Sequence, residues 1–221
     1  MKYRCILIDH DDTAVNSTPS VHHPAHVEQM KRLGREEQTR NLEDWFRLNY
    51  HPGIHHFLEK ELALNEKDAL LCYNVWREYT QSRVPPFFPG MLDLLSEVVR
   101  QGGVVAVVSH SEVDIIRRHY ELQQDVPGFM PAEIFGWTGD PTKAKPHVYP
   151  VEEMIRRHAL KPEEIIMIDD LKPGIEMSRR AGIASMGAGW SHAIPEIRKD
   201  ISEMADYYFT SVEDAARWLL D

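Results

Sequence analysis

Carboxylates at close spacing are the first residues in the sequence that could do chemistry. Asp9 and Asp11 lie two residues apart, so their side chains share one face of an extended chain. Their Cα atoms would then be about 6–7 Å apart, which leaves room for a phosphoryl group between them. Two acids in different environments can act as a nucleophile and as a proton donor. A solvated acidic turn has the same Asp-x-Asp pattern, so other residues must decide between the two interpretations.

Polar residues follow two further apolar runs in the same way. Residues 5–8, 104–108 and 165–168 lack polar alternation, and they are followed by Asp9, by Ser109 and by Asp169-Asp170. Continuous apolar runs are typical of strands that are buried on both faces of a parallel sheet. Ligands bind such sheets beyond the carboxyl ends of the strands. We therefore predict that the three strand ends form one site.

Lys145 lies in a predicted loop between the second and third of these strand ends. Mg²⁺ prefers carboxylates and phosphate oxygens as ligands, and it keeps several waters. An ammonium group beside the ion would offset the remaining charge of a phosphoryl group. These residue types therefore predict a site for Mg²⁺ and a phosphate.

Helix and strand patterns alternate from residue 89 onward. Apolar stripes predict two helices, one that ends at Gly102-Gly103 and one that ends at Gly182. Ser211 is the predicted N-cap of the last helix. Residues 184–186 and 207–209 are predicted as short strands, whereas residues 16–88 are rich in histidine and helical in pattern. We predict an α/β fold with a Rossmann-like parallel-sheet core, arranged as a three-layer sandwich. The core comprises residues 1–15 and 89–221, and a helical cap of residues 16–88 is inserted into it.

Composition narrows the classes of function. The net charge of −10 argues against wide contact with nucleic acid or with anionic membranes. The longest apolar runs are about five residues, far short of a membrane span, and the N-terminus lacks the pattern of a signal peptide. The isolated Cys5 and Cys72 predict neither a zinc site nor a disulfide framework, which favours the cytoplasm. A monomer and a homodimer remain open.

Taken together, the motifs resemble those of the haloacid dehalogenase superfamily of phosphohydrolases. The first motif is Asp9-His10-Asp11-Asp12-Thr13-Ala14-Val15-Asn16-Ser17, the second is Ser109, the third is Lys145-Pro146 and the fourth is Asp169-Asp170. The resemblance covers nearly the whole chain, although residues 16–88 match only in length and helical character. The segment Gly187-Ala188-Gly189-Trp190 is similar to that of phosphoglycolate-phosphatase-like members. Members similar to β-phosphoglucomutase share the helical cap.

The resemblance implies a phosphatase that hydrolyses a small phosphorylated metabolite through an aspartyl-phosphate. Asp9 would be the nucleophile, and Asp11 would protonate the leaving alcohol and then activate water. Ser109 and Lys145 would hold the phosphoryl oxygens, and His110 is assigned to this phosphate site with them. Mg²⁺ would be bound by Asp9, by the backbone carbonyl of Asp11 and by Asp170, while Asp169 would orient Lys145 or the waters of the metal. The cap would close over the substrate and select the leaving group.

Three positions depart from the family pattern. Asp12 stands where glycine is most common, and Asp tolerates a left-handed backbone better than most residues. Asn16 stands where Asp is frequent. Gly174 occupies a position where the family often has Asp or Asn near the metal, which gives Asp169 a larger share of that task.

Two alternative functions remain open. A sugar-phosphate mutase would use the same groups but shield the aspartyl-phosphate from water, and a noncatalytic binding module would keep only the fold. His51 and His55 have the i, i+4 spacing of some zinc sites, but Pro52-Gly53 lies between them and no third ligand is evident. His10 lies beside Asp9 and either lines the pocket or packs.

Overall fold

Six parallel strands form one sheet in the order β3-β2-β1-β4-β5-β6 in the computed structural model, which describes residues 1–221. The central strand β1 pairs with β2 on one side and with β4 on the other, and Ile8 lies beside both Val107 and Ile168. The strands are β1 Cys5–Ile8, β2 Val104–Glu112, β3 Glu133–Trp137, β4 Ile165–Asp169, β5 Ala184–Ala188 and β6 Tyr207–Phe209. The expected α/β fold with a Rossmann-like parallel sheet is confirmed.

Ten helices accompany the strands. They are α1 His23–Leu33, α2 Leu42–Tyr50, α3 Ile54–His56, α4 Glu66–Ser82, α5 Met91–Arg100, α6 Val113–Leu122, α7 Tyr149–His158, α8 Lys172–Ala181, α9 Pro195–Met204 and α10 Val212–Leu220. Shorter helical turns lie at Thr18–His22, Glu36–Gln38, Phe57–Glu61, Pro141–Lys143 and Pro162–Glu164.

Both faces of the sheet are covered, because alternate residues of β1 point into different hydrophobic clusters. Ile6 and Ile8 pack with residues of α5, α6 and α10 on one face. Cys5 and Leu7 pack with residues of α7 and α8 on the other. Complete burial of one such aliphatic side chain contributes about 1.5–3 kcal/mol. This burial fixes the register of β1 and therefore the position of the residues that follow it.

Helix ends carry the signals that the sequence suggested. Gly182 follows α8 with a φ of 67°, a left-handed conformation that suits a residue without a Cβ. The Ser211 hydroxyl accepts a hydrogen bond from the backbone N–H of Asp214 at the start of α10. Both predicted ends are confirmed.

The chain divides into two compact units. Unit 1 comprises Met1–Asn16 and Pro86–Asp221, and unit 2 comprises Ser17–Pro85. The two passages of the chain at the edge of unit 1 run side by side, because the Asn16 N–H donates to the Pro86 carbonyl and the Phe88 N–H donates to the Ala14 carbonyl. The boundaries therefore lie one and three residues away from the expected positions after residues 15 and 88.

Unit 2 consists of helices and has a small core of its own. Met30, Trp45, Leu48, Phe57 and Leu62 form this core, and the rings of His26 and Trp45 stack with their centroids 4.1 Å apart. The predicted helical stretches correspond to α2 and α4. No helix in the chain is long and apolar enough to span a membrane.

One strand was not expected from the sequence. Strand β3 lies at the edge of the sheet, and Ile134 and Phe135 of β3 pair with Val107 and Val108 of β2. The pairing then shifts, because Glu112 lies beside Trp137 and three residues of β2 separate the two matched positions. Strand β2 thus bulges at Ser109-His110-Ser111, and it is longer than the predicted run of residues 104–108.

Candidate active site

The carboxyl ends of β1, β2 and β4 meet in unit 1, as the sequence predicted. Asp9 directly follows β1, and its backbone N–H donates to the carbonyl of Ile168 in β4. Ser109 lies inside the extended β2 rather than after its end. Asp169 is the last residue of β4, and Asp170 follows it. Parallel strands in register therefore bring these side chains to one edge of the sheet.

A buried lysine connects two of the strand ends. The Lys145 Nζ atom lies 2.6 Å from Oδ1 of Asp9 and 2.5 Å from Oδ2 of Asp169, and all three side chains are buried. Although burial lowers the pKa of Lys145, the charges of Asp169 and Asp9 outweigh that effect and raise the pKa above its usual range. Lys145 is therefore a permanent cation at this edge of the sheet.

Three carboxylates form one cluster around this ammonium group. One carboxylate oxygen each of Asp9, Asp169 and Asp170 lies within 4.8 Å of the others. Burial raises the pKa of Asp9, which Lys145 opposes and Asp169 reinforces. Burial also raises the pKa of Asp170 well above its usual range, and Asp169 and Asp9 add to that rise. Three acidic groups thus share one ammonium group, so without a further cation the fold favours protons on Asp9 and Asp170.

Neighbouring polar groups fix two of the acids. The Thr13 hydroxyl donates to Oδ1 of Asp170 at 3.0 Å and accepts from the backbone N–H of Asp170 at 3.1 Å. Oδ1 of Asp169 accepts from the backbone N–H of Leu171 at 2.8 Å. Such supporting contacts are typical of carboxylates that bind metal ions.

The donor set of this cluster fits Mg²⁺. The ligands are hard oxygen atoms, and oxygens on opposite sides of a bound Mg²⁺ are about 4 Å apart. The separation of up to 4.8 Å among the three carboxylates is close to that span. Oxygen-only ligands disfavour zinc, which prefers nitrogen and sulfur.

Asp11 lies on the loop after β1 and contacts β2. Its Oδ2 accepts a hydrogen bond from the Ser111 hydroxyl, and the Ser111 N–H donates to Oγ of Ser109 at 3.1 Å. Asp12 has a φ of 58°, the left-handed backbone that the sequence expectation allowed for. The Asp12 N–H closes the loop on the carbonyl of Val15 at 2.7 Å.

The two histidines beside the strand ends have different environments. His10 is fully buried, and its Nε2 lies 2.9 Å from Nδ1 of His119, among the rings of Phe87 and Tyr120. His10 therefore packs in the core. A ring nitrogen of His110 lies 2.8 Å from the backbone carbonyl of Lys145, so this imidazole contacts the loop that carries the lysine. The phosphate-binding role assigned to His110 stays a prediction.

Gly174 explains why Asp169 has room at the site. A Cβ atom at position 174 would lie 2.0 Å from Oδ2 of Asp169 and 2.7 Å from its Cβ. The Asp169 carboxylate thus fills the space that a side chain at position 174 would need. The same carboxylate contacts Lys145, and the role of orienting the lysine stays a prediction.

Two residues of this site are not predicted from the sequence. Thr13 belongs to the first motif but has no predicted role, and Ser111 lies outside the four motifs. The spacing of Ser109 and Ser111, two residues apart beside a strand end, was the available signal, by the same argument that applied to Asp9 and Asp11. The histidines His51 and His55 are exposed in unit 2 and do not belong to the acidic cluster.

The fold and the site define a class of enzyme with a parallel sheet and an acid-and-lysine cluster at its carboxyl edge. The model of the family described as haloacid dehalogenase-like hydrolase matches residues 6–188. The chain belongs to this family, so the predicted family is confirmed, and a phosphatase-type enzyme is supported at the level of the class. No curated protein is similar enough in sequence to count as a match.

Solved structures with the same fold have low sequence identity to the chain. A predicted phosphoglycolate phosphatase from Haemophilus somnus has a TM-score of 0.80 at 18% identity, over 99% of each chain. A predicted phosphatase from Clostridium acetobutylicum has a TM-score of 0.77 at 18% identity, over 100% of this chain and 99% of its own. A protein provisionally named a β-phosphoglucomutase, from Bacteroides vulgatus, has a TM-score of 0.70 at 19% identity, over 99% of this chain and 88% of its own. At this level of identity the likeness establishes the fold alone.

Proposed function

We propose that this protein is a Mg²⁺-dependent phosphatase that hydrolyses a small phosphomonoester through an aspartyl-phosphate on Asp9. The observation that carries the proposal is the buried cluster of Asp9, Lys145, Asp169 and Asp170 at the carboxyl edge of the sheet. Phosphoryl transfer depends mainly on positioning and on charge stabilisation, and this cluster supplies both. The family match and the phosphatase names of similar structures support the same reaction.

The first step of the proposed reaction transfers the phosphoryl group to the protein. A carboxylate oxygen of Asp9 forms a bond to phosphorus, and the bond from phosphorus to the leaving oxygen breaks. Asp11 gives its proton to that oxygen, so the product leaves as a neutral alcohol. Ser109 and Lys145 stabilise the phosphoryl oxygens, which carry the developing negative charge.

The second step restores the enzyme. Asp11, now ionised, takes a proton from a water molecule, and the water oxygen attacks phosphorus. The bond between phosphorus and Asp9 breaks, and inorganic phosphate leaves. Asp9, Asp170 and the backbone carbonyl of Asp11 would hold Mg²⁺, with Asp169 beside them, and the ion would supply charge neutralisation for the phosphoryl group.

Hydrolysis of 4-nitrophenyl phosphate with and without Mg²⁺ tests the proposal. We expect Mg²⁺-dependent release of phosphate from the wild type and a loss of at least about 10³-fold in Asp9→Asn, because the amide cannot act as the nucleophile. Asp206→Asn is the matched control, since Asp206 also accepts hydrogen bonds but from Ser185, away from the cluster. Absence of Mg²⁺-dependent turnover on this ester and on a panel of phosphorylated metabolites would refute the proposal and favour a noncatalytic module.

A sugar-phosphate mutase is the second candidate. The similarity to the provisionally named β-phosphoglucomutase favours it, and both reactions would use the same cluster. Product analysis separates the two, because a mutase converts a sugar phosphate into its isomer while a phosphatase releases inorganic phosphate.

Three further features belong to this proposal. Unit 2 would act as the cap that selects the leaving group. A small phosphorylated metabolite would be the substrate. The enzyme would act as a monomer or as a homodimer. The free and buried thiols of Cys5 and Cys72 suit a reducing compartment, and we place the enzyme in the cytoplasm.

A further inference from the structure

Ser111 contacts the side chain that would move the proton in the proposed reaction. Its hydroxyl donates a hydrogen bond to Oδ2 of Asp11, and Ser111 is buried, with 6% of its surface exposed. A hydroxyl has a single hydrogen to donate, so this contact commits the Ser111 donor to Asp11. The contact joins β2 to the loop that follows β1.

Strand β2 is shaped so that this contact can form. The pairing with β3 shifts between Val108 and Glu112, and the bulge between them contains Ser111. Gly136 of β3 faces the bulge, and a Cβ at that position would lie 2.6 Å from the Ser111 carbonyl oxygen. A residue without a side chain therefore lets the two backbones approach at the place where Ser111 turns toward Asp11.

The two serines of the bulge have separate contacts. The Ser111 N–H donates to Oγ of Ser109, which uses an acceptor position of that hydroxyl and leaves its hydrogen for a phosphoryl oxygen. Ser109 is thereby suited to the phosphate, and Ser111 to the carboxylate of Asp11.

We propose that Ser111 is a positioning residue for Asp11, which it holds in the orientation that reaches the leaving oxygen. This inference rests on the proposed function. A proton donor must lie within hydrogen-bond distance of its target, and a misplacement of about 1 Å can cost about 100-fold in rate. When Asp11 carries its proton on Oδ1, Oδ2 can still accept the hydrogen bond from Ser111, so the contact persists and the proton stays available to the leaving oxygen.

A pair of aryl esters tests the inference. When Asp9 bonds to phosphorus and the phosphorus–phenolate bond breaks, phenolate needs the Asp11 proton, whereas the weakly basic 4-nitrophenolate leaves without it. Phenyl phosphate therefore reports on Asp11, and 4-nitrophenyl phosphate is its matched partner. The quantity compared is kcat/KM, which includes the departure of the leaving group.

We expect Ser111→Ala to lower kcat/KM for phenyl phosphate by about 10- to 100-fold, and for 4-nitrophenyl phosphate by less than about threefold. Ser111→Thr keeps the hydroxyl, so it is expected to retain most of the wild-type kcat/KM for phenyl phosphate. Asp11→Asn is expected to show the same dependence on leaving group in a stronger form. The inhibition constant of inorganic phosphate is expected to stay within about twofold in Ser111→Ala, because Ser109 and Lys145 are intact.

Two further variants control for a purely structural effect. Ser185 is a buried serine of β5 that donates to the carboxylate of Asp206, and Ser185→Ala removes that contact away from the cluster. We expect it to leave both esters unaffected. Ser111→Cys has a side chain of similar size, but its thiol is a poor hydrogen-bond donor. The same assays can be made with this variant if the alanine variant does not fold.

Equal losses on the two esters, or no loss on either, would overturn the role of Ser111 while leaving the proposed phosphatase intact. A wild type that hydrolyses neither ester would instead overturn the proposed function and this inference together. The two failures are thus distinguishable in one set of assays.

Discussion

At the residue scale, the Asp169 carboxylate of the candidate active site lies directly against Gly174. A Cβ at position 174 would lie 2.0 Å from Oδ2 of Asp169, much closer than two nonbonded atoms can approach. That same oxygen lies 2.5 Å from the ammonium nitrogen of Lys145. Any side chain at position 174 must therefore displace the carboxylate that holds the lysine.

We predict that Gly174→Ala lowers kcat by about 100-fold, because Lys145 loses the partner that fixes its position. Steady-state hydrolysis of 4-nitrophenyl phosphate measures this change. The variant is also expected to unfold at a lower urea concentration than the wild type, since the displaced carboxylate is buried.

The Asp169→Ala background provides the control for this prediction. There the clash with Oδ2 of Asp169 is removed, and only the contact with the Cβ of residue 169, at 2.7 Å, remains. Alanine in place of glycine within a helix also gains up to about 1 kcal/mol in the free energy of unfolding. Gly174→Ala should therefore destabilise Asp169→Ala clearly less than it destabilises the wild type. Destabilisation of the same size in both backgrounds would contradict the proposed steric exclusion.

Much of the candidate site could be predicted residue by residue, and a specific part could not. Asp9, Asp169 and Asp170 follow buried apolar runs, and parallel strands in register must bring such positions to one edge. The partnership of Ser111 with Asp11 depends on a bulge and on the close approach of Gly136. Neither leaves a periodic pattern in the sequence, because both arise from pairing with a strand about 25 residues further along.

At the scale of elements, the pairing of α1 with α2 in unit 2 depends on an uncharged imidazole. The His26 ring of α1 stacks on Trp45 of α2, and its Nε2 accepts a hydrogen bond from the backbone N–H of Arg40 at 2.9 Å. Burial, together with the charges of His23 and Arg40, lowers the pKa of His26 to about 4. Protonation would remove the acceptor and place a charge inside the core.

We predict that unit 2 loses stability as the pH falls from about 6.5 toward 4. The unfolded chain binds a proton near the usual histidine pKa, whereas folded His26 does not until about pH 4. Stability from this group is therefore complete above pH 6.5, and about 1–3 kcal/mol of it disappears by pH 4. Urea unfolding at several pH values, followed by tryptophan fluorescence, measures the slope.

His26→Gln keeps a hydrogen-bond acceptor without a titrating ring, so it should flatten this part of the pH dependence at some cost in stability at pH 7. His55→Gln, at an exposed position of the same unit, is the matched control. A slope that is the same in His26→Gln as in the wild type would show that His26 does not cause the acid sensitivity.

Elements with strong periodic or continuous apolar patterns could be predicted from the sequence. Strand β3 could not, because it has no such pattern. Residues of β1 and β4 are wholly buried and form unmistakable apolar runs. Strand β3 is an edge strand whose residues are mostly half-buried, and its five residues contain a charged Glu133 and a Gly136. Pairing with β2, rather than local preference, determines that this segment is a strand.

At the scale of the whole molecule, charge links the stability of unit 1 to pH and to the proposed metal. Asp9 and Asp170 have pKa values that burial raises above those of an unfolded chain. The metal-free fold therefore binds protons more readily than the unfolded chain does. The stability contributed by these groups is complete below the unfolded pKa and is lost as the pH rises through the folded pKa.

We predict that Mg²⁺ raises the unfolding temperature more at pH 8 than at pH 5. A larger fraction of the acids is ionised at pH 8 than at pH 5, so the ion displaces fewer protons when it binds at pH 8. Binding at 100 times the dissociation constant would stabilise the fold by about 2.7 kcal/mol. Thermal unfolding with and without Mg²⁺ at the two pH values measures the difference.

Asp170→Asn should abolish most of this stabilisation, and Asp206→Asn should retain it. An equal effect of Mg²⁺ at both pH values, or an unchanged effect in Asp170→Asn, would argue against binding at the cluster. This outcome is independent of catalysis, so it tests the metal site even if no substrate is known.

The paired chain at the edge of unit 1 has a consequence for how this architecture can vary. Asn16 departs from the core and Pro86 returns to it at hydrogen-bonded, adjacent positions. Because the two ends of the inserted segment lie next to each other, the segment does not have to bridge a distance. The entropic cost of closing such a loop also grows only slowly with its length. Segments of very different size and architecture could be grafted at this junction, with the spacing of β1 from β2 and the placement of Asp9 left as they are.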